Sequence, residues 1–120
     1  MRNLSFLFVL LICCEAKYIP EDGIYSVAET MPTYEHGMEA FNDFVQTEVQ
    51  KWSPEESASV FVSFIVKSDG ALSEVKVIKG HSEDYDEKAK AILLNSPGKW
   101  LAGTEEGQPV DVKMVYPIRF

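Results

Sequence analysis

Val60-Phe61-Val62-Ser63-Phe64-Ile65-Val66-Lys67-Ser68-Asp69-Gly70-Ala71-Leu72-Ser73-Glu74-Val75-Lys76-Val77 is the stretch on which the fold turns. Its first seven residues are β-branched or aromatic apart from Ser63, and the run is too short for a helix. It predicts a central strand covered on both faces for much of its length. Asp69-Gly70 is a strong short-range hairpin signal, because both residues tolerate positive φ. Leu72 to Lys79 is then the return strand, with Val75 and Val77 on one face, Lys76 and Ile78 on the other, and Gly80 at its end.

Working outward, Met38, Phe41, Phe44/Val45, Val49 and Trp52 recur at three- and four-residue spacing, an apolar stripe of about four helical turns. Gly37 and Ser53-Pro54 bound that helix. A second helix is predicted over Glu83 to Asn95, with Tyr85, Ala89, Ile92 and Leu93 as its buried stripe and Pro97-Gly98 as its stop. Val110, Val112, Met114, Tyr116, Ile118 and Phe120 alternate with Asp111, Lys113, Val115, Pro117 and Arg119, the period of a strand with one face on a core. The order is α-β-β-α-β, an α+β fold: a three-stranded antiparallel sheet with both helices packed on one face.

The chain has 120 residues, enough for one domain with a modest core. Its formal net charge of −8 excludes nucleic acid as a partner, since phosphates demand clustered Lys and Arg. The same balance opposes adsorption to anionic lipid head groups. Met1-Arg2-Asn3 followed by the apolar run Leu4 to Ile12 has the layout of a secretory signal peptide and is too short for a membrane-spanning helix. Residues 1–16 are therefore expected to be an address for export. Two processing routes stay open. One is cleavage after Ala16. The other is lipidation at Cys14, or at its neighbour Cys13, because Leu11-Ile12-Cys13-Cys14 resembles a lipoprotein signal. These are the two cysteines of the chain, so the part after Ala16 has no thiol and no disulfide. Residues 17–36, with Pro20, Gly23 and Pro32, read as an extended leader containing a short strand near Ile24 to Val27, ahead of a domain over 37–120.

No catalytic constellation emerges. Glu83, Asp84, Asp86 and Glu87 sit where a helix N-terminus favours negative charge. His36 and His81 lie far apart, and neither has a second ligand at i+3 or i+4, so no metal site is expected. Ser53, Ser57 and Ser59 have no neighbouring histidine to act as base. The glycines are scattered rather than grouped as in a phosphate loop. Trp52 and Trp100 read as core anchors. Neither enzymatic activity nor a cofactor is expected. A binding function is: no strand follows the last one to pair its second side, and a sheet edge accepts an extended peptide by β-augmentation. Lys113 and Pro117 are the residues available to blunt that edge.

The chain resembles the C-terminal domain of TonB, the periplasmic energy transducer of Gram-negative bacteria, in its Bacteroidetes-type form. Four segments carry the resemblance: Met31-Pro32-Thr33-Tyr34 through Phe41, the hairpin from Val60 to Val77, Asp86-Glu87-Lys88-Ala89, and Gly107-Gln108-Pro109-Val110-Asp111-Val112 with Tyr116-Pro117-Ile118-Arg119-Phe120. Departures fall in loops: the family's Gly-Gly reads His36-Gly37, and its Trp-x-Pro-Gly reads Trp100-Leu101-Ala102-Gly103. The transmembrane helix and long Pro-rich spacer of a full transducer are not read in this sequence. The resemblance implies a periplasmic domain whose last strand pairs with a short box at the N-terminus of an outer-membrane transporter. Val110, Asp111, Val112, Lys113, Met114, Val115, Tyr116 and Ile118 would form that pairing strand. The alternative is an exported adaptor that keeps the fold and binds another envelope protein without transducing force. Membrane contact is expected only through a lipid anchor, and an open edge also suits strand exchange between two copies.

Overall fold

A computed structural model describes residues 18–120. The expected signal segment over residues 1–16, with Cys13 and Cys14, lies outside the described residues. Nine elements follow in order: β1 (Ile24–Tyr25), β2 (Thr33–Tyr34), α1 (Met38–Trp52), β3 (Ser59–Val66), β4 (Leu72–Lys79), α2 (Glu83–Leu94), β5 (Trp100–Leu101), β6 (Gly103–Glu105) and β7 (Gln108–Arg119).

Three antiparallel strands, β4-β3-β7, form the centre. Phe41, Val45 and Val49 of α1 and Tyr85, Ala89, Ile92 and Leu93 of α2 are buried in one cluster with Val60, Val62, Phe64 and Val66 of β3. Met114, Tyr116, Ile118 and Phe120 join the same cluster, whereas Phe61, Ser63, Ile65, Val115 and Pro117 do not. The alternation of β3 and β7 thus directs one set of side chains to the helices and the other to a helix-free face. Both helices lie on one side, as the sequence pattern predicts.

Phe41 is wholly buried and stands at the centre of an aromatic group. Tyr34, Trp100 and Tyr116 have ring centroids 5.1, 5.0 and 5.0 Å from it, all tilted or edge-on, the arrangement that ring quadrupoles favour. A second group, Trp52, Tyr85 and Phe120, closes the other end of the layer. Both tryptophans are anchors of this kind. Asp86 Oδ1 accepts from the His81 N–H at 2.8 Å just ahead of α2, so one of the crowded carboxylates there satisfies a backbone donor.

Three details add to the sequence reading or correct it. The β3–β4 connection over Lys67 to Ala71, where the sequence places it, is closed by two main-chain bonds: the Gly70 N–H donates to Lys67 O at 2.8 Å, and Lys67 N–H to Ala71 O at 2.8 Å. Gly70, at φ +86°, takes the left-handed conformation, and its Cα hydrogen fills the place where a Cβ would stand 2.5 Å from Trp100 O. Second, the leader is part of the fold. Thr33 and Tyr34 pair with Leu101 and Trp100, and Tyr34 is buried. Its hydroxyl accepts the Gly98 N–H. Burying that ring offsets the entropy of fixing the segment. Third, the sheet is wider than three strands, because β1 and β6 both pair with β7.

Candidate partner-binding edge

The orientation of each β7 peptide group follows from one reciprocal pair. Phe120 N–H donates to Ala58 O at 2.7 Å and Ala58 N–H to Phe120 O at 3.3 Å. The β3–β7 register runs unbroken from Ser59↔Arg119 to Val66↔Val112. Hydrogen-bonded pairs alternate along an antiparallel ladder. Val112, Met114, Tyr116 and Ile118 therefore turn their main-chain groups to β3, while Lys113, Val115, Pro117 and Arg119 turn theirs outward. Pro117 lacks an N–H at an outward position, so it costs the β3 ladder nothing and removes one donor from the edge.

β6 takes the flank that β3 leaves beyond Val112, since Gln108 and Val110 share the phase of Val112, whereas β1 takes part of the outer flank. Glu105↔Gln108, Thr104↔Pro109 and Gly103↔Val110 pair β6 with β7 across the two-residue turn Glu106-Gly107. Both turn residues have positive φ, 51° and 77°, the requirement of a type I′ hairpin. Beyond it, β1 lies parallel to β7 with Ile24↔Asp111 and Tyr25↔Val112. Because Val112 itself faces β3, Tyr25 bonds to the flanking groups of Asp111 and Lys113. At the far end Gln46 Nε2 of α1 donates to Arg119 O at 3.4 Å. The expected pairing strand therefore divides. Val110 and Val112 turn to β6 and β3, and β1 covers outward groups of Asp111 and Lys113, which corrects the expectation of a wholly unpaired second side. Among the described residues, Lys113 C=O, Val115 N–H and C=O, Pro117 C=O and Arg119 N–H have no neighbouring strand.

Side chains around this stretch differ by face. Lys113, Val115 and Arg119 are exposed on the helix-free side. On the helix side Tyr116 donates its hydroxyl hydrogen to Asn42 Oδ1 at 2.5 Å, and burial pushes the Tyr116 phenol above its ordinary range. Met114 and Ile118 belong to the core layer.

Asp111 fixes the start of the edge. Its carboxylate accepts from Lys67 Nζ at 2.9 Å and from the Ser68 N–H at 2.7 Å, tying the β3–β4 turn to β7. The hydrogen bond from Lys67 is the main cause holding the Asp111 carboxyl below its usual range, and the same bond raises Lys67. With its folded pKa depressed, Asp111 contributes stability above about pH 4, which is lost as pH falls through the folded value. Lys67, raised, contributes below about pH 10 and loses its share as pH rises further. Asp111→Asn is expected to cost about 1 kcal/mol at neutral pH and to flatten the acid limb of a plot of melting temperature against pH. An unchanged acid limb would show that this pair does not carry it.

The sheet has a second open edge, that of β4, which the sequence reading did not consider. Register shifts between Phe61/Val62 and Ser63/Ile65 mark two irregularities in the β3–β4 ladder, and Glu74 there has φ +47°. Bulges twist and blunt an edge. The regular edge is that of β7. Two further contributors were missed: the Glu106-Gly107 turn, whose dipeptide was the available signal, and Gln46, which nothing in the local sequence marks. Among the described residues no group of three His, Cys, Asp or Glu is placed to hold a metal, and no helix is long and apolar enough to cross a membrane.

No curated protein and no solved structure matches the chain. The family model described as Gram-negative bacterial TonB protein C-terminal matches residues 45–120, more than half of the sequence. That span runs from the middle of α1 through β7 and contains the central hairpin, α2 and the β6–β7 edge just described. The chain belongs to the TonB C-terminal domain family, whose members are periplasmic protein-interaction domains of envelope transport in Gram-negative bacteria.

Proposed function

We propose that this domain binds the N-terminal box peptide of an outer-membrane transporter by strand addition at β7, within TonB-dependent transport. The observation that carries the reading is the outward row of main-chain groups from Lys113 C=O to Arg119 N–H, which no strand pairs among the described residues. An extended peptide laid there makes main-chain bonds for affinity, and its alternate side chains meet Lys113, Val115 and Arg119 on one face and Tyr116 on the other for selectivity. At about 3.3 Å per residue, the stretch from Lys113 to Arg119 holds a peptide of about six residues.

A two-dimensional NMR titration of the full chain with a panel of transporter box peptides tests this. Shifts concentrated on Lys113 to Arg119 support it. Shifts along β4 would move the site to the other edge. No shift with any box would leave the family fold serving another envelope partner, as an adaptor without force transduction.

The reading also makes β1 a competitor for the first part of the edge. Tyr25→Pro removes an N–H from the β1–β7 ladder without touching the core, since Tyr25 is half-buried and outside the central cluster. Freeing the groups of Asp111 and Lys113 is expected to tighten peptide binding about fivefold, the worth of about one hydrogen bond. Isothermal titration reads the change, and weaker binding would mean that β1 supports the site rather than competing with it.

A further inference from the structure

The helix-free face of the sheet has a charge opposite to that of the whole molecule. Register places Lys79 beside Phe61 and Pro117, then Lys76 beside Ser63 and Val115, then Lys113 beside Ile65. Arg119 continues the β7 row. All four cations are exposed, and none of them forms an ion pair among the described residues. Lys79 Nζ instead stands 5.9 Å from the Phe61 ring centroid. At the hairpin end Asp111 is bound to Lys67 and Glu74 also acts on Lys67, and at the other end Glu56 is bound to His81. Phe61, Ser63 and Ile65 of β3 lie between the two cationic rows, and within the rows Val115 is 49% and Ile78 56% exposed.

Four unpaired cations gathered on one face of a chain whose net charge is −8 do not follow from composition. Elsewhere the surface is acidic, with Glu39, Asp43 and Glu48 on α1 and Glu83, Asp84 and Glu87 on α2. The helix layer holds those carboxylates about 10 Å behind the sheet, which is a full Debye length at physiological salt. A ligand on the open face therefore senses mainly the lysines and Arg119.

We propose that this face is a docking surface for an acidic, partly apolar segment of a partner polypeptide, one that crosses the sheet to Lys76 and Lys79 and shares only the Lys113, Val115 and Arg119 side chains with the β7 edge. Carboxylates of the segment would meet Lys76 and Lys79 on one border and Lys113 and Arg119 on the other, with an apolar side chain over Val115 and Phe61. A polypeptide fits better than a membrane. A vesicle surface spans the whole molecule and meets the acidic rim as well, whereas a short segment stays inside the cationic field.

The test uses the full chain and a fluorescent ten-residue peptide of alternating Glu and Val, read by anisotropy at low and physiological salt. Binding is expected at low salt, weakening steeply as salt rises, with none for the matching Lys-Val peptide. Lys76→Gln with Lys79→Gln is expected to reduce affinity about tenfold at unchanged melting temperature. Those lysines are on β4, two strands away from the outer flank of β7, so a peptide added at the β7 edge alone would not sense them. The proposal is overturned if the peptide fails to bind at low salt, or binds the double variant as tightly as wild type. It is equally overturned if vesicles containing phosphatidylglycerol compete the peptide off the wild-type face.

Discussion

Val115→Pro is expected to abolish binding of a transporter box peptide while leaving the domain folded. Val115 is the one outward residue of β7 between β1 and Pro117 that offers an N–H to an incoming strand. Its side chain is 49% exposed and stands outside the core cluster, so the substitution opens no cavity. Proline is tolerated at outward positions of an edge strand, and Pro117 already occupies the next such position in this strand. Losing the Val115 donor, with Pro117 lacking one, leaves no N–H between β1 and Arg119, and the pyrrolidine ring keeps an added backbone at a distance. A fall in affinity of a hundredfold or more is expected, about 3 kcal/mol, from the lost bond and the unpaired acceptor left on the peptide. Titration calorimetry and a thermal melt on the same sample check both halves. A variant that melts like wild type and still binds would place the pairing strand elsewhere. The neighbouring Met114→Pro supplies the contrast, because its N–H faces β3 and its loss breaks the ladder itself.

The largest loss of stability is expected from Phe41→Ala, about 3–5 kcal/mol. Phe41 is fully buried, and its ring meets those of Tyr34, Trp100 and Tyr116, which come from the leader, the β5 turn and the edge strand. Removing it creates a cavity bordered by three large rings that are each tied elsewhere: Tyr34 to the Gly98 N–H, Trp100 to the β2 ladder, Tyr116 to Asn42. Such a wall collapses poorly, so the cost lies toward the upper end. Denaturant unfolding measures it. Phe41→Leu, which keeps most of the volume, should recover more than half of the loss. Because Tyr116 and α1 flank the β7 edge, the alanine variant is also expected to weaken peptide binding at temperatures well below its melt. A cost below about 1 kcal/mol would mean that the three rings close over the gap.

Local pattern carries a great deal of this fold. The helices over Met38–Trp52 and Glu83–Leu94, the Ser59–Val66 and Leu72–Lys79 hairpin and the alternating final strand are legible because their apolar residues repeat at 3.6 or 2 and are bounded by Gly, Pro or a turn pair. Tyr85, Ala89, Ile92 and Leu93 line the core as their spacing predicts. Periodicity is a property of consecutive residues, so it survives without knowledge of the rest of the chain. The two-residue strands have no period to read. Ile24–Tyr25 and Thr33–Tyr34 become strands only because β7 and Trp100 are there to receive them. Their stability comes from Tyr34 entering the aromatic core and from partners some 70 to 90 residues away in sequence.

The same division applies to the binding edge. The face of β7 that each side chain takes follows from alternation, and the family follows from the order of its motifs. Which main-chain groups stay open was decided by tertiary structure: β3 and β6 taking one flank of β7, β1 lying beside Asp111 on the other, and Gln46 reaching Arg119 O. Hydrogen-bond partners of a strand edge are set by what lies beside it in space. The charge of the open face has the same origin, since Lys76, Lys79, Lys113 and Arg119 are separate lysines and an arginine in the chain and become one surface only when β4, β3 and β7 are laid in register.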